Sequence, residues 1–158
     1  MPDLRAALTE AGMERVRTYV QSGNVVLESP LAPDELARKC EELIESRFGF
    51  EVPVIVRTRD ELAEVVARNP LKAVAQNPKR YQVSFLDREL APERVTQLQE
   101  LARPGERLVG IGRELYGWHP EGVARSKLWG RLAGSGLGVS ATARNWTTVS
   151  ALLQMADE

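Results

Sequence analysis

The chain has 158 residues, of which 43% are hydrophobic and 27% charged, with a formal net charge of −1. This balance excludes a wholly disordered chain and gives no global attraction to nucleic acid or acidic membranes. A single cysteine, Cys40, excludes an internal disulfide, and no run approaches the ~18 consecutive apolar residues of a membrane span.

In chain order, Leu4, Ala7, Leu8 and Ala11 mark one face of a short helix that Gly12 ends. Met1–Arg5 leads into no apolar run of the signal-peptide kind, so a cytoplasmic location is expected. Residues 16–20 and 25–28 read as a hairpin across Gln21-Ser22-Gly23-Asn24. Pro33, followed by Asp34 and Glu35, opens a helix that Gly49 closes. Cys40 lies among Leu36, Leu43 and Ile44 at helical spacing and is expected in the core. The β-branched run 52–57 predicts a strand, and Thr58 with Glu61 predicts a capping box for a helix ending near Arg68.

A connector over 69–78 leads to a strand at 81–86 and a helix from Pro92 to Leu101. Strands 108–111 and 114–118 pair across Gly112-Arg113. Ser126 caps a helix over 127–133, a weak strand follows at 139–143, and a last helix carries Val149, Leu152, Leu153 and Ala156 on one face.

The two halves are similar. Residues 78–158 read β-α-β-β-α-β with a helix added, which is the order of the ferredoxin-like plait. Residues 1–77, including the connector, read α-β-β-α-β with a helix added. The predicted class is therefore α+β, with two ferredoxin-like (α–β plait) halves packed together, the first lacking its opening strand. That strand is central in a plait, so its absence is expected to cut the first sheet in two and leave backbone groups unpaired. Residues upstream of Met1 in the natural protein, or another segment or chain, are expected to fill the gap.

Tyr19-Val20-Gln21-Ser22-Gly23-Asn24-Val25-Val26 resembles the hairpin signature of the bacterial domain-of-unknown-function family 1697. Ser126-Lys127-Leu128 and Arg144-Asn145-Trp146-Thr147-Thr148-Val149 resemble its two C-terminal signatures, and Leu115 to Gly122 fits its pattern. The resemblance implies a pair of plaits, in agreement with the internal comparison. Members usually begin with a strand and an Arg-Gly-Ile-Asn-Val-Gly-Gly-like loop, which this chain does not contain. No reaction is implied.

Residues 122–156 contain no acid but hold Arg125, Lys127, Arg131 and Arg144, which puts this segment at +4 and the remainder at −5. Arg125, Ser126 and Lys127 stand at one helix start, and Arg144, Asn145 and Trp146 near another. Free N–H groups and the positive dipole end, with adjacent arginines, suit a small anionic or nucleotide-like ligand. If the two starts converge, Trp146 walls the pocket; the alternative is that Ser126 and Asn145 only cap helices. Trp118, Trp129 and Trp146 serve either as core or as stacking surfaces.

Secondary candidates are the polar turn residues Gln21, Ser22 and Asn24, and His119, the only histidine. Gly134-Ser135-Gly136-Leu137-Gly138 follows a helix and precedes a strand, the reverse of a dinucleotide fingerprint, and reads as a connector. One histidine and one cysteine do not make a typical zinc site, and no cofactor or metal is expected. A binding module is the leading reading. The alternatives are RNA or single-stranded nucleic-acid binding on a plait sheet through Tyr81, Phe85 and Tyr116, an enzyme of unknown reaction, and a structural or interaction role.

Overall fold

The computed structural model describes residues 2–19, 23–133 and 137–158. The elements are α1 (Pro2–Glu10), β1 (Glu14–Tyr19), β2 (Asn24–Glu28), α2 (Pro33–Phe48), α3 (Arg59–Arg68), β3 (Tyr81–Leu86), α4 (Pro92–Gln99), β4 (Arg107–Ile111), β5 (Glu114–Trp118), α5 (Lys127–Ala133), β6 (Ala141–Asn145) and α6 (Trp146–Ala156). The fold is mixed α+β with two antiparallel sheets. Its contacts divide into two units, Met1–Leu62 with Ala151–Glu158, and Ala63–Ser150.

In the first unit β1 and β2 form an antiparallel hairpin from Glu14↔Glu28 to Tyr19↔Asn24, with an irregularity between Glu14 and Arg17. α2 begins at Pro33, whose missing N–H has no helical partner to lose, and carries Asp34 and Glu35 in its first turn. It stops at Gly49, which adopts the left-handed conformation (φ 78°) and donates its N–H to the Glu45 carbonyl at 3.0 Å. Leu8, Met13 and Cys40 form the core of this unit, with Val16, Val25, Leu36, Leu43 and Val54 packed on it. Burial, and then the neighbouring Glu41 charge, pushes the Cys40 thiol up, so it stays protonated as a small apolar residue. The last residues join this unit through Arg15 Nη2 to the Glu158 carbonyl (2.8 Å) and Arg59 to Asp157 (2.6 Å).

The run 52–57, predicted as a strand, forms none. Pro53 has no N–H to give, and the Val54 N–H donates to the Glu41 carboxylate at 3.0 Å instead of to a neighbouring strand. In the second unit the last strand, β6, pairs with β3, the strand that opens its sheet. Among the described residues the first unit has no counterpart of β3, so its sheet stops at two strands. The capping box forms as predicted: Thr58 N–H donates to Glu61 Oε1 at 2.8 Å, and Glu61 N–H to Thr58 Oγ1 at 3.1 Å.

The second unit is a four-stranded sheet in the order β4-β5-β3-β6, antiparallel throughout. All six residues of β3 are buried, so both sheet faces are covered. On one face Leu86, Leu108 and Leu115 pack with Leu98 of α4 and Leu128 and Leu132 of α5. On the other, Val83 lies opposite Tyr116. Tyr116 donates its hydroxyl to the Val65 carbonyl at 2.8 Å, and Tyr81 donates to Asn69 Oδ1 at 2.8 Å. The division at 62/63 lies earlier than the boundary read at 77/78, because residues 65–69 are tied to the β3–β5 face. Arg68 adds a 2.8 Å ion pair to buried Glu114.

β6 runs over 141–145, two residues later than the predicted 139–143. Ser140 is occupied by reciprocal bonds to Asp87, whose N–H donates to the Ser140 carbonyl while Oδ1 accepts the Ser140 N–H. Val139 packs against the leucine core. The shift puts Arg144 and Asn145 in the strand, directly before α6.

Candidate functional site

One buried polar group in the second unit that accepts from three partners is one that sequence reasoning did not select. Glu106 sits immediately before β4 and is 5% exposed. Its Oε1 accepts the Arg103 N–H at 2.8 Å. Its Oε2 accepts the Ser126 hydroxyl at 2.7 Å and lies 2.7 Å from His119 Nδ1, which places a ring hydrogen on Nδ1. Burial by itself would raise this carboxyl, but the bonds from His119, the Arg103 N–H and Ser126 outweigh it and hold Glu106 below the usual carboxylate value.

Secondary structure sets these partners. Arg107 pairs with Trp118, so the residues just outside the ladder, Glu106 and His119, meet at the same end of the hairpin. Ser126 precedes α5, and its Oγ accepts the Trp129 N–H at 3.1 Å as an N-cap. The His119 ring meets the Trp129 ring edge-on at 5.7 Å. Gly117 lies under the ring, where a Cβ would come within 3.1 Å of Nε2. That approach accounts for a glycine inside β5.

Chemically this is an internal anion site. The start of α5 already faces a carboxylate, supplied by the protein. Ser126 and His119 both address Glu106 Oε2 and no Ser–His bond forms, so the three groups do not make a nucleophile–base relay. His119 is completely buried, and its Nε2 has no hydrogen-bond partner among the described residues.

The structure places the remaining sequence candidates as follows. Arg125 and Lys127 are exposed on either side of buried Ser126, and Arg125 holds a left-handed backbone (φ 63°). Arg144 is half-buried, with Nη1 donating to Thr142 Oγ1 at 2.6 Å and the Ala143 carbonyl at 2.8 Å; burial lowers its pKa. Asn145 Oδ1 caps α6 by accepting the Thr148 N–H at 2.9 Å. Trp146 stacks on Tyr81 with centroids 4.8 Å apart.

Ser126 is bonded beside β4 and Asn145 lies on β6, and these are the two outer strands with β5 and β3 between them. The two helix starts thus belong to opposite sides of the sheet. In the first unit Asn24 is buried and donates its amide to the Tyr19 carbonyl at 3.2 Å. Gln21 and Ser22 lie outside the described residues, as do residues 134–136 of the 134–138 connector.

Among the described residues no group of three or more His, Cys, Asp or Glu is placed to hold a metal ion, and no helix is long and apolar enough to cross a membrane.

The family described as Protein of unknown function (DUF1697) matches residues 1–116. The chain belongs to the DUF1697 family. The match covers the Tyr19–Val26 hairpin and ends before the segments at 126–128 and 144–149. A search of curated proteins found no match. Among solved structures, this DUF1697 chain is similar to the conserved bacterial protein SP0830 from Streptococcus pneumoniae, at 22% identity and a TM-score of 0.72, over 99% of this chain and 88% of that one. At that identity the likeness shows the fold.

Proposed function

We propose that this DUF1697 chain is a bacterial cytoplasmic binding module for a small anionic or nucleotide-like ligand, and that its fold is a pair of ferredoxin-like plaits. The sheet order β4-β5-β3-β6, with one helix in each crossover, supports the plait for the second unit. The hairpin followed by α2 supports an incomplete plait for the first.

The observation that carries the ligand reading is the state of charge at the start of α5. Its acid, Glu106, is buried and its oxygens are engaged by the protein's own donors. Arg125 and Lys127 stand exposed beside it, in a segment without acids. Ser126 therefore holds the turn in place, while Arg125 and Lys127 meet the ligand. Arg144, Asn145 and Trp146 form the far side of the basic region, with Asn145 and Trp146 acting through their cap and stack.

The nucleic-acid alternative needs exposed rings on the sheet, and Tyr81, Phe85 and Tyr116 are 1%, 6% and 0% exposed. Calorimetric titration with inorganic phosphate and pyrophosphate tests the reading. Saturable binding that falls at least tenfold in the Arg125→Ala, Lys127→Ala double variant is expected. Unchanged affinity in that variant overturns the assignment.

A further inference from the structure

The sheet of the second unit gathers cations at one end. Arg107 and Tyr81 both pair with Trp118, so β4 and β3 begin at the end where β5 stops. Lys79 and Arg80 immediately precede β3, Arg107 opens β4, and Arg125 and Lys127 follow β5. All five are exposed. Over residues 77–82, 103–107 and 117–127 the acids are Glu121 and the buried Glu106. The 119–126 turn is fastened to its neighbours at this end. The His119 N–H donates to the Arg80 carbonyl at 3.0 Å, Arg80 Nη1 donates to the Pro120 carbonyl, and Arg103 Nη2 donates to the Gly122 carbonyl at 3.3 Å. Arg107 Nη1 donates to the Glu106 carbonyl at 3.2 Å. Arg80 and Arg107 thus rest on backbone carbonyls, which orient a guanidinium group without neutralising its charge.

We infer that this end of the sheet binds a small ligand with two or more linked phosphates, and that Lys79, Arg80 and Arg107 meet it together with Arg125 and Lys127. A single phosphate group carries a charge of about −1.5 to −2. It leaves most of five exposed cations unmatched, whereas linked phosphates match them. β4 and β3 are the outer two of three adjacent strands, so Arg107 and Arg80 stand about 10 Å apart along the sheet end. That span suits a row of phosphates. Arginine donates in parallel pairs to phosphate oxygens, and Lys79 adds a point charge. This inference rests on the anion-binding reading and adds to it a ligand class and three contacts.

The test is titration of the full chain, in metal-free buffer, with inorganic phosphate, pyrophosphate and tripolyphosphate, repeated in Lys79→Ala, Arg80→Ala and Arg107→Ala. All three residues are exposed, so no change removes a core group. Tripolyphosphate is expected to bind at least tenfold more tightly than phosphate. Each variant is expected to shrink that preference about threefold, the worth of one exposed charge pair. A loosened 119–126 turn would instead weaken all three ligands alike and leave the preference intact. Equal affinity for phosphate and tripolyphosphate overturns the inference. If the Arg125→Ala, Lys127→Ala variant loses phosphate while the other three variants keep the full preference, the added contacts are refuted and the anion-binding reading stands. A short single-stranded oligonucleotide that binds more tightly than tripolyphosphate overturns the small-ligand class. If no phosphate compound binds at all, both readings fall.

Discussion

Replacing Glu106 with alanine is expected to lower the unfolding free energy by about 3–5 kcal/mol in urea titration, the usual cost of removing one partner from a buried charged cluster. The substitution strands the His119 Nδ1–H, the Ser126 hydroxyl and the Arg103 N–H, all of which point at this carboxylate. Changing Glu106 and His119 together to leucine should cost less than the two single changes summed, because the pair is coupled. A cost below about 1 kcal/mol for Glu106→Ala would mean that the carboxylate is not held as described.

The same centre sets an acid limit. The folded pKa of Glu106 lies below the ordinary value of 4.5. The ionised form is thus favoured by folding. Its contribution is present above pH 4.5 and is lost as pH falls through the lower folded value. In Glu106→Gln this part of the acid dependence should disappear.

Tyr116→Ala is expected to cost about 3–5 kcal/mol, as for a large ring removed from a packed core. Tyr116 is 0% exposed, and its hydroxyl is spent on the Val65 carbonyl. Tyr116→Phe should cost about 1 kcal/mol, the net worth of one hydrogen bond. Burial pushes Tyr116 up to about 12; the Arg68 charge acts against this, and Glu114 and Glu64 add to it. Folding therefore favours the neutral phenol. The resulting stability is present below pH 10 and is lost as pH rises through about 12. Ultraviolet titration of tyrosinate absorbance should show a component near 12 that Tyr116→Phe removes. Ionisation of that component at pH 10 would place the ring in water and reopen the sheet face to stacking with bases.

Where local chemistry decides structure, the sequence was readable. Gly49 stops α2 because the left-handed turn there favours glycine, and Thr58 with Glu61 forms a reciprocal cap within four residues. The 52–57 run has β propensity but pairs with no strand among the described residues, and strand formation is settled by pairing, which propensity does not contain. The basic residues beside Ser126 were visible as a charge pattern. Glu106 was missed because a lone acid before a strand has no motif. Its signal was present all the same: a hairpin turning at Gly112-Arg113 carries Arg107 to Trp118, and one step further carries Glu106 to His119. Extending the register beyond the predicted strand end would have found the pair.

The most direct measurement on the binding claim is an amide-resolved NMR titration of the full chain with inorganic phosphate at low and moderate salt. The predicted result is saturable movement of the Arg125, Ser126 and Lys127 amides, weakening as salt screens the two cations. Movement confined to other parts of the chain, or none at any phosphate concentration, would contradict it.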